Sequence, residues 1–74
     1  MKILIKVNSQ PAAVANIEWS SEIGDIISLD EVRDIFGTFY QGARVARMSL
    51  KDAVKLAARD TNDAIYEAVN SHDN

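Results

Sequence analysis

The sequence predicts a small α+β domain in which an N-terminal antiparallel β-hairpin packs on two C-terminal α-helices. Three observations support this fold class. Apolar residues alternate near the N-terminus, turn-forming residues separate two such segments, and two serines each precede apolar residues at helical spacing. A chain of 74 residues forms one small domain, and its stability is marginal unless a disulfide, a structural metal or oligomerisation adds to it. We expect a single domain over residues 1–70 and a frayed tail over residues 71–74.

The hairpin is predicted from two alternating segments. Residues 2–7 alternate isoleucine or valine with lysine or leucine, which indicates a strand with one solvated face. Residues 8–11, Asn-Ser-Gln-Pro, are turn formers, and residues 14–19 alternate again. Because two strands alone are unstable in water, a third strand is considered at residues 23–27 or 43–48. For residues 43–48 the choice between strand and helix stays open.

Each helix is predicted from its N-terminal cap. Ser28 with Glu31, and Ser49 with Asp52, have the spacing of a capping box. Gly42 is the expected C-terminal cap of the first helix. The second helix has a narrow, alanine-rich apolar face, and the poor helix formers at residues 60–63 predict a break within it.

Charges are sorted into blocks along the chain, although the net charge is only −3. Residues 18–34 contain six acids and one base, and residues 44–59 contain five bases and one acid. Charge of one sign on one face creates a local potential that steers association with a complementary surface. The blocks therefore indicate a protein that works by binding.

The acidic block supports the favoured hypothesis, a non-enzymatic protein-binding module. Its carboxylates are expected to imitate phosphates and to occupy a basic surface of a host nucleic-acid-handling complex, as a small phage-type inhibitor of the anti-CRISPR or another anti-defence kind does. The partner is then a host protein or complex with a basic surface. The candidate residues are Glu18, Glu22, Asp25, Asp30 and Asp34.

Two alternatives come from the second helix. Basic residues spaced by four predict a row that follows a phosphate backbone in a small dimeric nucleic-acid-binding regulator. The acidic pI of about 4.9 makes this the less favoured reading. The alanine-rich face also suits a homodimer or a self-associating assembly subunit. The candidate nucleic-acid-binding residues are Arg47, Lys51, Lys55 and Arg59.

Large apolar side chains are candidates for interface anchors, because aromatic and aliphatic residues dominate binding energy at protein interfaces. Helical projection places Leu56 and Tyr66 away from the apolar face of the second helix. Trp19 and Tyr40 complete this set of possible anchors.

The sequence offers little that catalysis, metals or membranes require. His72 is the only histidine and lies in the expected tail, without a scaffold for acid–base chemistry. There is no cysteine, no glycine-rich phosphate loop, and no calcium loop, since Ile65 stands where that loop needs glycine. We expect no enzyme activity, no cofactor and no metal. Without a signal-like or membrane-spanning apolar segment, a cytoplasmic location is expected, in the host if the protein is viral.

Overall fold

The computed structural model describes residues 1–72 and confirms the α+β fold class, with about 61% helix and 18% strand. The strands are β1 (Lys2–Val7) and β2 (Gln10–Asn16). The helices are α1 (Ser21–Gly24), α2 (Leu29–Val45) and α3 (Leu50–His72). The two strands form an antiparallel sheet, β2 packs on α3, and α3 packs on α2.

The hairpin turn is tighter than predicted. Asn8 and Ser9 alone form it, with φ values of 51° and 66°, as a two-residue turn with left-handed backbone requires. β2 therefore begins at Gln10, before the expected residue 14, and the register shifts by one residue after Ile5. Pro11 is tolerated because its position opposite Lys6 is not a hydrogen-bonded pair.

Both proposed third strands are wrong. Residues 23–27 contain the end of α1 and a turn, because Ser20 accepts a hydrogen bond from Ile23 N (3.2 Å) and starts a single helical turn. Residues 43–48 contain the last turn of α2 and its cap. The two-stranded sheet is instead stabilised by packing one face on the helices.

Helix α2 begins as predicted and ends later. Ser28 Oγ accepts a hydrogen bond from Glu31 N (3.1 Å). Gly42 is not the cap and lies inside the helix, which ends in a Schellman motif with Arg47 in the left-handed region (φ 67°). In this motif Met48 N donates to Ala43 O (3.1 Å) and Arg47 N to Arg44 O (2.9 Å).

Helix α3 begins at the predicted Ser49 cap, where Asp52 N donates to Ser49 Oγ (3.2 Å), and it continues without the predicted break. Buried Thr61 donates its hydroxyl to Ala57 O (2.6 Å), so it stays in the helix without an unsatisfied polar atom. The helix includes Ser71 and His72, which the sequence analysis assigned to the tail. The rest of that tail, residues 73–74, lies outside the described residues.

The core forms where the inner face of the hairpin meets α2 and α3. Ala53 and Ala57 are fully buried, which confirms the apolar face predicted for α3. The chain itself covers this face at Ala53 and Ala57, whereas Ala64 and Ala68 are only partly buried. The buried core residues that contact one another are Ile5, Ala15, Ile17, Ile27, Val32, Phe36, Val54, Ala57 and Ile65.

Replacing Arg47 by glycine is expected to stabilise the protein. A non-glycine residue in the left-handed region costs about 1 kcal/mol, and glycine removes that cost. Arg47→Ala is the matched control, because it removes the same side chain but keeps the Cβ. In urea denaturation, the free energy of unfolding of Arg47→Gly should be about 1 kcal/mol higher than that of Arg47→Ala. Equal stabilities would contradict the assigned cap.

Enlarging Ala57 is expected to destabilise the fold. A leucine there has no space between α3 and the elements packed on it, and overpacking typically costs about 1–3 kcal/mol. Gln41→Leu adds a leucine at an exposed position of α2 and should change stability by less than about 0.5 kcal/mol. Similar denaturation midpoints for the two variants would show that Ala57 is not closely packed.

Candidate protein-binding surface

The antiparallel packing of α2 and α3 turns the charge blocks of the sequence into two ends of an elongated molecule. Residues 46–49 connect the helices, so the end of α2 lies beside the start of α3. The molecule measures 41 × 23 × 14 Å. We name the two ends by their exposed charged residues. The acidic end comprises Glu18, Glu22, Asp25, Asp30, Glu31, Asp34, Asp63 and Glu67 with the single base Arg33, and the basic end comprises Arg44, Arg47, Lys51 and Lys55 with the single acid Asp52.

Three elements carry the five predicted acidic residues. Glu18 follows β2, and its backbone N–H donates to Asn62 Oδ1 of α3 (2.9 Å). Glu22 and Asp25 lie in and directly after α1, and Asp30 and Asp34 lie on the first turns of α2. All five are exposed, and none of their carboxylates forms an ion pair with another of residues 1–72.

Three members of the acidic end are missing from the five residues predicted from the sequence. Glu31 lies within the acidic block of residues 18–34, but Asp63 and Glu67 lie outside it. Asp63 and Glu67 are exposed on the C-terminal half of α3, which lies beside the start of α2. The expected break at residues 60–63 hid this juxtaposition. The apolar spacing of α3 continues through Ile65 and Val69, and this pattern could have predicted an unbroken helix that brings Asp63 and Glu67 beside the start of α2.

A surface depression lies within the acidic end. It is lined by Glu22, Asp25, Ile26, Val69 and His72. His72 lies in the last turn of α3 and lines this depression together with Glu22 and Asp25, whereas the sequence analysis placed it in a frayed tail. Among residues 1–72 no group of three or more His, Cys, Asp or Glu residues is arranged to hold a metal ion.

Of the four proposed apolar anchors, only one is well exposed. Trp19 packs on the core and its ring lies against Gly24, where an added Cβ would be 3.1 Å from Trp19 Cζ2. Tyr40 packs on the core and stacks on Phe36, with ring centroids 6.1 Å apart. Leu56 is half-buried, whereas Tyr66 is 68% exposed. Tyr66 is adjacent in sequence to Glu67, a member of the acidic end.

The four basic residues predicted for nucleic acid do not form one uniform row. Arg47 caps α2, and Lys51 and Lys55 lie one turn apart on α3. All four are exposed, but Arg59 pairs with Asp60 (3.3 Å) between the two ends of the molecule. Arg44, which the sequence analysis did not include, lies at the same end and donates to Met48 O (3.0 Å).

Comparisons with known proteins assign no function to this surface, so its interpretation depends on the residues that form it. No family model, curated protein or solved structure matches the chain. Within residues 1–72, no helix combines the length and the apolar character needed to cross a bilayer.

Proposed function

We propose that this chain is a non-enzymatic protein-binding module, a small inhibitor whose acidic end occupies the basic surface of a nucleic-acid-handling complex. The observation that carries the proposal is the gathering of eight exposed carboxylates at one end, with exposed Arg33 among them and exposed Arg59 one turn before Asp63 on α3. A carboxylate that has no ion-pair partner within its own chain gains the most interaction free energy from a cation on another protein. Their summed potential also steers a basic surface toward this end of the molecule.

The shape of the acidic end supports imitation of nucleic acid. The carboxylates come from a strand end, a short helix and two long helices, so they cover a broad surface instead of one helix stripe. Exposed Tyr66, on the same half of α3 as Asp63 and Glu67, adds an aromatic side chain at this end, and nucleic acid likewise combines aromatic bases with phosphates. A complex with a basic nucleic-acid channel, such as a CRISPR effector or another defence complex of a host cell, is the class of partner that fits.

Charge reversal at the acidic end is expected to abolish partner binding. The test variant is Glu22→Lys, Asp25→Lys and Asp34→Lys, and Lys51→Glu with Lys55→Glu is the matched control at the opposite end. A tagged chain is used to capture partners from nuclease-treated host lysate, and capture is quantified by mass spectrometry. We expect the control to retain the captured protein, the test variant to lose it, and added DNA to release it by competition.

Three results would contradict the proposal. These are capture that survives reversal of the acidic end, capture that added DNA does not weaken, and capture that does not fall as salt rises. Circular dichroism of both variants checks that the fold is retained, since every substituted residue is exposed.

A second candidate is favoured by the basic end. Lys51 and Lys55 are exposed and form no ion pair within residues 1–72, and exposed Arg47 lies in the connection that precedes α3. A nucleic-acid-binding regulator would use these three residues. It would lose its captured material on nuclease treatment and with Lys51→Glu and Lys55→Glu, and its affinity would fall steeply with salt.

A further inference from the structure

The two edges of the hairpin differ in how they are covered. β2 is the strand that contacts α3, and Val14 and Asn16 line a surface depression together with Lys55 of α3. β2 also contains Pro11, which has no N–H to donate to a further strand. The pairing of β2 with β1 is irregular next to Pro11, because the register shifts between Ile5 and Lys6. β1 contains no proline, and within residues 1–72 no strand pairs with its other side. β1 is therefore the open edge of the sheet.

The register shows which backbone groups are free on β1. Met1 and Ile17 exchange both backbone hydrogen bonds, at 2.7 and 2.9 Å. Because bonded and non-bonded pairs alternate in an antiparallel ladder, Ile3 and Ile5 point their N–H and C=O groups toward β2. Leu4 points its own groups outward, and no backbone group among residues 1–72 pairs with them.

The side chains on the outer face of the hairpin give this edge a recognisable pattern. Leu4 and Val14 lie opposite each other, 49% and 47% exposed. Lys2 and Lys6 flank Leu4 on the same face, and both are exposed. Neither lysine forms an ion pair within residues 1–72, and their cross-strand neighbours, asparagine and proline, are uncharged. The free edge thus presents an apolar centre between two uncompensated positive charges.

We propose that the free edge of β1 binds an extended segment of a partner protein, in which an acidic residue stands two positions on each side of an apolar residue. The segment adds a third strand to the sheet through the outward groups of Leu4. Its apolar residue extends the row formed by Leu4 and Val14, and its acidic residues lie opposite Lys2 and Lys6.

A second copy of this chain fits the same edge poorly. Two antiparallel β1 strands centred on Leu4 place Lys2 of each copy opposite Lys6 of the other, and like charges directly opposite are destabilising. Lysines of this kind protect sheet edges from self-association. Here they also select the charge of a heterologous strand. The inference concerns a surface separate from the acidic end and does not rest on the proposed function.

The probe is the peptide acetyl-Thr-Glu-Thr-Val-Thr-Glu-Thr-amide, titrated into the full chain and followed by amide chemical shifts. We expect shifts concentrated in residues 2–7 and slower hydrogen exchange at the Leu4 amide. Two control peptides match it. One carries N-methylvaline, which removes the central N–H, and the other replaces both glutamates by lysine. Both controls should bind at least about tenfold more weakly.

A charge swap keeps the test independent of overall stability. The variant Lys2→Glu with Lys6→Glu changes two exposed side chains and leaves the buried face of the hairpin intact. It should reverse the preference, binding the lysine peptide about tenfold more tightly than the glutamate peptide.

Several results would overturn the proposal. One is the absence of shifts in residues 2–7 at millimolar peptide, and another is equal binding of the N-methylated peptide. An unchanged preference after the charge swap would show that the lysines do not select the partner. A free chain that sediments as a dimer with its Leu4 amide protected would identify a second copy as the occupant.

Discussion

The structure depends on the close packing that small side chains allow on one face of α3. Ala53 and Ala57 are fully buried there, and they have no atoms beyond Cβ to hold α2 and β2 away. Interaxial distance between packed helices is set by the side chains at the contact, so alanine brings backbones near. The short connection over residues 46–49 makes α2 and α3 antiparallel, which places the two charge blocks at opposite ends, and this face lets the helices and the hairpin pack closely.

The separation of charge gives the molecule chemically distinct surfaces despite its small net charge. Acids that are far apart in sequence meet at one end, while the bases of the connecting turn and of the start of α3 form the other. Such an arrangement orients an approaching partner before contact, because its surface potential differs in sign along the long axis. The open edge of β1 adds a third surface, where the backbone itself supplies the hydrogen bonds. In our interpretation, the protein works through surfaces, each with its own class of partner.

The sequence predicted the features that short-range chemistry controls. The serine caps and the first strand needed only neighbouring residues to be recognised. The prediction of a break in α3 was wrong. It considered only the low helix propensity of Thr61 and Asn62 and not the contacts that these side chains make in the folded chain. In the structure Thr61 bonds to the preceding turn, and Asn62 accepts a hydrogen bond from Glu18 N across the fold.

Other features depend on tertiary contacts that no local pattern specifies. Gly42 resembled a C-terminal cap, yet Arg47 takes the left-handed position, because the backbone hydrogen bonds from Met48 N to Ala43 O and from Arg47 N to Arg44 O end α2 there. Trp19 and Tyr40 were considered as interface anchors, but each packs within the chain. The full acidic end was not predictable, since two of its members join only when α3 is continuous.

A distance measurement between spin labels at positions 30 and 67 tests most directly whether the two acidic segments form one surface. Positions 30 and 67 are both exposed, so Asp30→Cys and Glu67→Cys can carry labels, and dipolar broadening of the continuous-wave electron paramagnetic resonance spectrum reports how close the two labels are. From the helical rise and an interaxial distance of about 9 Å, the account predicts a Cα separation of about 10 Å, and about 23 Å for positions 30 and 51. A 30–67 separation equal to or longer than the 30–51 separation would contradict the account.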